Sequence, residues 1–144
     1  MSRQTQAIIH ADALLHNFKA LAAIAPSSQS MAVVKADAYG HGAVNVARIL
    51  QHVSSQFAVA IIEEAIALRD AGISAPVVVL EGAHQAKECQ MAFQHNCILV
   101  MHCEEQLQWL NNCPENQRPH IWLKVDSGML RLGFAISAIE DMTK

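Results

Sequence analysis

Residues 57–80 read FAVAIIEEAIALRDAGISAPVVVL, and this stretch decides the predicted fold. The β-branched, apolar run at 57–62 predicts a buried strand, and residues 63–71 show the three and four spacing of apolar residues that is typical of a helix. Gly72 ends that helix, and the apolar run at 77–80 predicts the next strand. Strands that are apolar on both faces and alternate with helices indicate a parallel sheet covered by helices.

The same alternation extends in both directions along the chain. A first helix is predicted for residues 12–25, with apolar residues on one face and a Pro-Ser-Ser stop. The remaining predicted elements are strands at 31–34, 97–101 and 121–125 and helices at 42–52, 84–93 and 103–110. Five strands at this spacing fit two architectures, an open doubly wound sheet or the first part of an eight-stranded β/α barrel, which typically needs about 250 residues.

Composition excludes several classes of protein. The 144 residues are 52% hydrophobic and only 16% charged, which is enough for one domain with a buried core. Thirteen acidic residues against ten basic ones, with no basic cluster, predict that nucleic acid is not a partner. The apolar runs are too short to span a bilayer and the MSRQTQ start is polar, so we expect no membrane association, no signal segment and a cytoplasmic location.

The four cysteines favour free thiols over a disulfide framework. They show no CxxC pair, and a chain of this size has an ample core; they are Cys89, Cys97, Cys103 and Cys113. A metal site built from neighbouring histidines and cysteines matches no zinc spacing, so we expect no metal; its members would be His95, Cys97, His102 and Cys103.

The segment MAVVKADAYGHG, residues 31–42, carries the first candidate chemistry. Lys35 ends the first predicted strand, and the carboxyl ends of parallel strands line the active-site face. An amine at such a position can lose its proton, act as a nucleophile and form a Schiff base. Gly40 and Gly42 allow a tight turn before a helix N-terminus, which suits a phosphate or a carboxylate. A lysine that extends from a strand end into solvent, followed by an ordinary glycine turn, is the alternative interpretation.

A second informative segment is IWLKVDSGMLRLGF, residues 121–134. By the two-residue period, Trp122, Lys124 and Asp126 share one face of the predicted strand. A lysine and an aspartate on a buried face must pair or be otherwise compensated. Arg131 follows the strand, and its guanidinium fork can hold a carboxylate or a phenolate oxygen. An exposed strand edge with solvated charges is the alternative, which the apolar flanking residues disfavour.

The AVVKADAYGHG and KVDSGMLRLGF stretches resemble those of alanine racemase, a pyridoxal-phosphate enzyme with an N-terminal β/α barrel. The resemblance covers essentially the whole chain, including the AIIHADALLHNFKAL start and the order of strands and helices. It implies an α/β fold in which residues 1–144 form the N-terminal portion of a TIM-type (β/α) barrel that binds pyridoxal phosphate. About five parallel strands with covering helices are then expected, without the rest of the barrel and without the family's C-terminal β domain.

The resemblance also implies roles for individual residues. Lys35 matches the lysine that carries the cofactor and acts as the catalytic base on one face of the substrate Cα. Tyr39 matches the tyrosine that holds the cofactor phosphate, and Leu80 matches a residue that packs near the cofactor ring. Arg131 matches the arginine that contacts the phenolic oxygen of the cofactor and orients the substrate carboxylate. Lys124 matches a lysine that is carbamylated in some members.

By this resemblance the protein interconverts L-alanine and D-alanine, supplies D-alanine for peptidoglycan and works as a homodimer. The family's second base is a tyrosine of the C-terminal domain that the partner subunit contributes, whereas the single tyrosine here is Tyr39. We therefore expect little racemase activity from the 144 residues alone. Two alternatives are a non-catalytic pyridoxal-phosphate-binding protein of cofactor homeostasis and an inactive fragment that self-associates through open strand edges.

Overall fold

The computed structural model describes residues 6–142 of the chain. Five parallel strands form one sheet in this part of the chain: β1 Met31–Val33, β2 Gln56–Val59, β3 Val77–Val79, β4 Cys97–Met101 and β5 Ile121–Leu123. The strand order is β1-β2-β3-β4-β5, so each strand pairs with the next one along the chain. A doubly wound sheet would reverse its strand order at a switch point. Of the two predicted architectures, the consecutive order therefore confirms the partial barrel.

The helices are α1 Ala11–Ile24, α2 Lys35–Gly40, α3 Ala43–Leu50, α4 Ile62–Asp70, α5 Ala86–Gln94, α6 Glu104–Asn111 and α7 Ile136–Met142, with a 3-10 turn at Glu115–Gln117. The helices predicted at 12–25, 42–52, 63–71, 84–93 and 103–110 are confirmed, because α1 and α3 to α6 match them to within two residues at either end. The short element α2 was not predicted. Four of its residues have positive φ angles, which nothing in this non-glycine sequence indicates.

The two faces of the sheet differ in what covers them. On one face, alternate strand residues such as Phe57, Val79 and Leu99 pack against the helices in the main core. On the other face, Ala58 and Val78 belong to a second, smaller cluster, whose members within residues 6–142 all come from strands and strand ends. Helices on one side and small or β-branched side chains on the other are typical of a barrel segment, with the interior on the second face.

The prediction that every strand is buried holds for the central strands and is wrong at the edges. The side chains of Ile121, Trp122 and Leu123 in β5 are 37%, 42% and 39% exposed, and Val33 in β1 is 49% exposed. An edge strand has one neighbour instead of two, so its apolar side chains are less covered than those of a central strand with the same composition. The exposed edge that the sequence disfavoured at 121–134 is therefore the observed state.

Three helices begin with the same hydrogen-bonding device. A carboxylate or amide oxygen near the start of the helix accepts the backbone N–H of the residue four positions earlier, at 2.7 to 2.9 Å. The pairs are Glu64 with Ala60, Glu88 with His84 and Gln106 with His102. N–H groups before the first helical turn would otherwise have no partner in the helix. The first of these bonds is made by Ala60, directly after β2. The strand ends at Val59, before the predicted end at residue 62.

Candidate functional site

A cavity of about 410 Å³ opens at the carboxyl ends of the strands. It brings together four of the five predicted site residues, and its lining consists of Lys35, Ala60, Leu80, Glu81, Val100, Lys124, Arg131 and Leu132. The two sequence segments with candidate chemistry thus meet, because the ends of parallel strands share one edge of the sheet. Tyr39 is not part of this lining; its side chain is 73% exposed.

The cavity combines cationic and apolar groups. Two amines and a guanidinium, from Lys35, Lys124 and Arg131, accompany a single carboxylate from Glu81. The remaining lining is aliphatic. Small-molecule sites are commonly apolar clefts of roughly 300 to 1,000 Å³ with a few placed polar groups. The arrangement suits a flat, partly apolar ligand that carries negative charge.

Lys35 opens a turn with strained backbone geometry, which we call the lysine turn (residues 35–43). Four consecutive residues of this turn, Ala36 to Tyr39, have φ between 50° and 52°, in the left-handed region. A left-handed conformation costs roughly 1 to 2 kcal/mol for a residue with a Cβ. The predicted glycine turn is present at Gly40 and Gly42, with φ of 87° and 84°. The turn nevertheless begins four residues earlier than those glycines indicate.

Hydrogen bonds hold the lysine turn at both ends. At the far end, the Asp37 carboxylate accepts the Ala43 N–H at 2.7 Å, and the Asp37 carbonyl accepts the Gly42 N–H at 3.0 Å. At the near end, the Ala36 N–H donates to the Glu64 carboxylate at 2.6 Å. Strained backbone persists only where surrounding contacts over-determine it. The lysine side chain is thus presented from a short segment that neighbouring elements hold in place.

Arg131 lies on a loop that closes on itself, which we call the arginine loop (residues 124–134). Val125 pairs with Phe134, the Asp126 N–H donates to the Phe134 carbonyl at 2.9 Å, and the Phe134 N–H donates to the Lys124 carbonyl at 2.8 Å. Most residues between these bonds are exposed, including Arg131. The loop is therefore anchored at its base and open at its tip.

Asp126 organises the start of the arginine loop. Its carboxylate accepts the Gly128 N–H at 2.8 Å. This bond, with smaller contributions from the N–H groups of Leu130 and Met129 and from the Lys124 charge, holds the pKa of Asp126 below its ordinary value. The prediction that Lys124 and Asp126 share a buried strand face is wrong, because β5 ends at Leu123 and Asp126 already belongs to the loop.

Two carboxylates near the cavity were missed by the sequence reasoning. Glu81 directly follows the predicted strand end at Leu80, so the same strand-end rule that selected Lys35 would have found it. Its carboxylate lies 3.3 Å from His84 Nε2, at the border of the cavity. Glu64 reaches the lysine turn from a helix 28 positions away, and nothing in the local sequence signals that contact.

Three further expectations from the sequence concern metal ions, membrane spans and the cysteines. Within residues 6–142, no three His, Cys, Asp or Glu side chains are grouped so that they could hold a metal ion. No described helix combines the length and apolarity needed to cross a membrane. The four cysteines are free thiols. Burial, with the nearby Cys113 thiol as a second cause, raises the pKa of Cys89 to about 11.

Comparison with known proteins relates the chain to alanine racemases. The family described as "Alanine racemase, N-terminal domain" matches residues 9–144. The chain is 99% identical over all 144 residues to the alanine racemase of Alteromonas mediterranea, of which it covers 40%. It is 47% identical to the alanine racemase of Marinobacter nauticus, over 93% of this chain and 37% of that protein. The crystal structure of biosynthetic alanine racemase from Pseudomonas aeruginosa matches at a TM-score of 0.86 and 40% identity, over 91% of this chain and 37% of that one.

Consecutive parallel strands with helices on one face place the molecule among the β/α-barrel proteins. Within that class, the chain belongs to the alanine racemase N-terminal domain family. It spans 40% of the Alteromonas relative and 37% of the Marinobacter relative, so it corresponds to less than half of either protein.

Proposed function

We propose that this chain forms the cofactor-binding, N-terminal part of a pyridoxal-phosphate-dependent alanine racemase, which interconverts L-alanine and D-alanine. The observation that carries the proposal is the cavity that joins Lys35 and Arg131, residues 96 positions apart in the sequence. Supply of D-alanine for peptidoglycan, a cytoplasmic location and a homodimeric assembly belong to the same proposal and rest on the family resemblance.

The residues of the cavity fit pyridoxal phosphate. The cofactor has an aldehyde that an amine can attack, two anionic oxygen groups and a flat ring. Lys35 offers the amine, Arg131 and Lys124 offer positive charge, and Leu80 and Val100 offer an apolar wall. Lys124 matches a lysine that is carbamylated in some members of the family, and such a modification here would exchange one of these cations for an anion.

Tyr39 is proposed as the phosphate ligand from the family resemblance. Its hydroxyl-bearing side chain is exposed on the lysine turn, four residues beyond Lys35. The left-handed turn keeps Tyr39 close in the chain to the lysine while directing it outside the cavity lining. An exposed phenol of this kind is free to donate a hydrogen bond to a phosphate oxygen.

Each residue then has a defined task in racemisation. When bound, the cofactor supplies an electron sink that makes the substrate Cα–H acidic. Lys35 takes or returns the proton at Cα from one face, and the Arg131 fork binds the substrate carboxylate. Racemisation also needs a base on the opposite face, and the only tyrosine in this sequence is Tyr39. We therefore propose that these 144 residues by themselves turn over little alanine.

The test is covalent capture of the cofactor. The purified chain is incubated with pyridoxal phosphate, reduced with borohydride and digested for mass spectrometry. We expect the adduct on the peptide that contains residue 35 and its loss in Lys35→Ala. Lys19→Ala, which removes an exposed lysine of α1, is the matched control and should leave the adduct unchanged.

Two outcomes would contradict the proposal. An adduct of equal yield in Lys35→Ala would remove Lys35 from its assigned role. Turnover of L-alanine by the 144-residue chain at a rate typical of enzymes, about 10 per second, would contradict the expected low activity. The second measurement follows D-alanine production with pyridoxal phosphate present, so it is independent of the first.

A further inference from the structure

We propose that Glu64 is a positioning residue for Lys35, and that it acts through both oxygens of its carboxylate. The identity of what Lys35 binds rests on the proposed function, whereas the contacts of Glu64 do not. Glu64 lies on α4 and is partly buried. Through it, the helix after β2 determines the conformation of the turn after β1.

The Glu64 carboxylate joins two loops at the edge of the cavity. Oε1 accepts the N–H of Ala36, the residue directly after Lys35, at 2.6 Å. Oε2 accepts the N–H of Ala60 at 2.7 Å and lies 3.4 Å from the Ile61 nitrogen. Lys35 and Ala60 both line the cavity. A single side chain therefore sets the spacing between two neighbouring parts of the lining.

The bond to Ala36 falls where the backbone is strained. Ala36 is the first of the four left-handed residues, with φ 51° and ψ 48°. Alanine lacks the conformational freedom of glycine in this region, so an external contact has to offset the cost. A short bond to a charged acceptor is the strong kind of hydrogen bond. Loss of this contact should let residue 36 relax and move the lysine that precedes it.

The other two helix starts explain why a carboxylate is needed at residue 64. Glu88 makes the same bond to its own preceding loop, at His84, and within the described part of the chain it does not reach the loop of another β/α unit. Gln106 does reach another loop, but there its amide donates to the carbonyls of Glu81 and Ala83 at 2.9 and 3.0 Å. Glu64 faces an N–H group on both sides. Only a side chain with two acceptor oxygens satisfies both.

The experiment compares Glu64→Gln with Glu88→Gln. Both substitutions preserve size and remove one charge near a helix start, but only the first removes an acceptor that bridges two loops. We expect amide hydrogen exchange at Ala36 to accelerate at least about tenfold in Glu64→Gln, in line with the net loss of a charge-assisted hydrogen bond. The rate of pyridoxal-phosphate capture at Lys35 should fall by a similar factor. Glu88→Gln should change neither quantity by more than about twofold, because no bond to the lysine turn is lost.

A second substitution separates positioning from simple helix capping. Glycine adopts the left-handed conformation at little cost, so Ala36→Gly in the Glu64→Gln background should restore most of the capture rate. A role limited to the start of α4 predicts no rescue, since Ala36 is not part of that helix. If Glu64→Gln alone does not fold, recovery of folding in the double variant is the expected result, and no recovery overturns the proposal.

The two proposals fail in different ways. Equal exchange at Ala36 in Glu64→Gln and Glu88→Gln, or no rescue by Ala36→Gly, would overturn the role of Glu64. Absence of a Lys35 adduct in the unsubstituted chain would overturn the proposed function instead. The Ala36 exchange rates are measured without cofactor, so they test Glu64 in either case.

Discussion

The lysine turn and the arginine loop both line the cavity, but they are held in different ways. The lysine turn follows Val34, which is only 1% exposed, and its Ala36 N–H donates a hydrogen bond to Glu64 on a helix of the next β/α unit. The arginine loop follows β5, which is an edge strand as β1 is. Its Lys124 N–H donates to the Met101 carbonyl of β4 at 2.8 Å, and the other bonds described above connect residues of the loop itself. At its tip, Met129 and Leu130 are 77% and 87% exposed.

The two segments that line the cavity are therefore stabilised in different ways. Strained backbone such as that of the lysine turn needs long-range contacts, because local bonds alone do not offset several left-handed residues. A loop that presents a guanidinium on a long, flexible side chain needs only a closed base. The lysine turn should therefore depend on the core, and the arginine loop mainly on its own short-range hydrogen bonds, with one bond to β4 at Lys124.

The largest expected effect comes from a matched pair of valine substitutions, one directly before the lysine turn and one at the base of the arginine loop. Val34→Ala should lower the free energy of unfolding by about 2 kcal/mol, because a fully buried side chain loses two methyl groups and leaves a cavity. Val125→Ala should cost less than about 1 kcal/mol, because Val125 is already 38% exposed. Urea unfolding of both variants measures the difference. Equal losses would show that the arginine loop rests on the core as firmly as the lysine turn does.

A smaller and more local effect is expected from Gly133→Ala. The added Cβ would lie 2.7 Å from the Asp126 nitrogen, on a backbone with φ of 122°. We expect the base of the arginine loop to open, with roughly 1 kcal/mol lost locally. Amide exchange at Asp126 and Phe134 should accelerate, while exchange at Ala36 stays unchanged.

Gly128→Ala is the control for that substitution. Gly128 also has a positive φ, of 137°, but a Cβ there would meet nothing within 4 Å. Gly128→Ala should therefore strain the backbone without creating a steric clash. It should accelerate amide exchange at Asp126 and Phe134 less than Gly133→Ala does. A stronger effect at Gly128 would mean that the tip, not the base, organises the arginine loop.

The smallest expected effect is a change in the arginine loop with pH. The pKa of Asp126 is lowered in the folded state, chiefly by the Gly128 N–H. The stabilisation of the arginine loop by the ionised Asp126 is therefore present above the ordinary aspartate pKa of about 3.9. It is lost as the pH falls through the lower, folded-state pKa. The Gly128 amide resonance should follow this titration with a midpoint below about 3.9. Asp126→Asn should abolish it, and a midpoint above the ordinary value would contradict the assigned hydrogen bond.

Much of the fold was predictable because its signals are local. Apolar runs and three and four spacing identify the five strands and the helices α1 and α3 to α6 from windows of a few residues. Lys35 could be assigned to the active-site face because it ends a predicted strand. Arg131 stood out as a guanidinium directly after a predicted strand, whereas the roles of Leu80 and Lys124 came only from the resemblance to a known family. Each of these assignments needs only the residues in the immediate neighbourhood.

The remaining features depend on contacts between distant parts of the chain. The sequence by itself determined the alternation of strands and helices, the charged residues at strand ends and the family. Only the tertiary structure decided that β5 is an exposed edge, that Asp126 leaves the strand, and that a left-handed turn of non-glycine residues follows Lys35. The physical reason is that edge position depends on which strand pairs with which, and a strained turn depends on the side chain that holds it. For Lys35 that side chain is Glu64, 29 residues further along the chain.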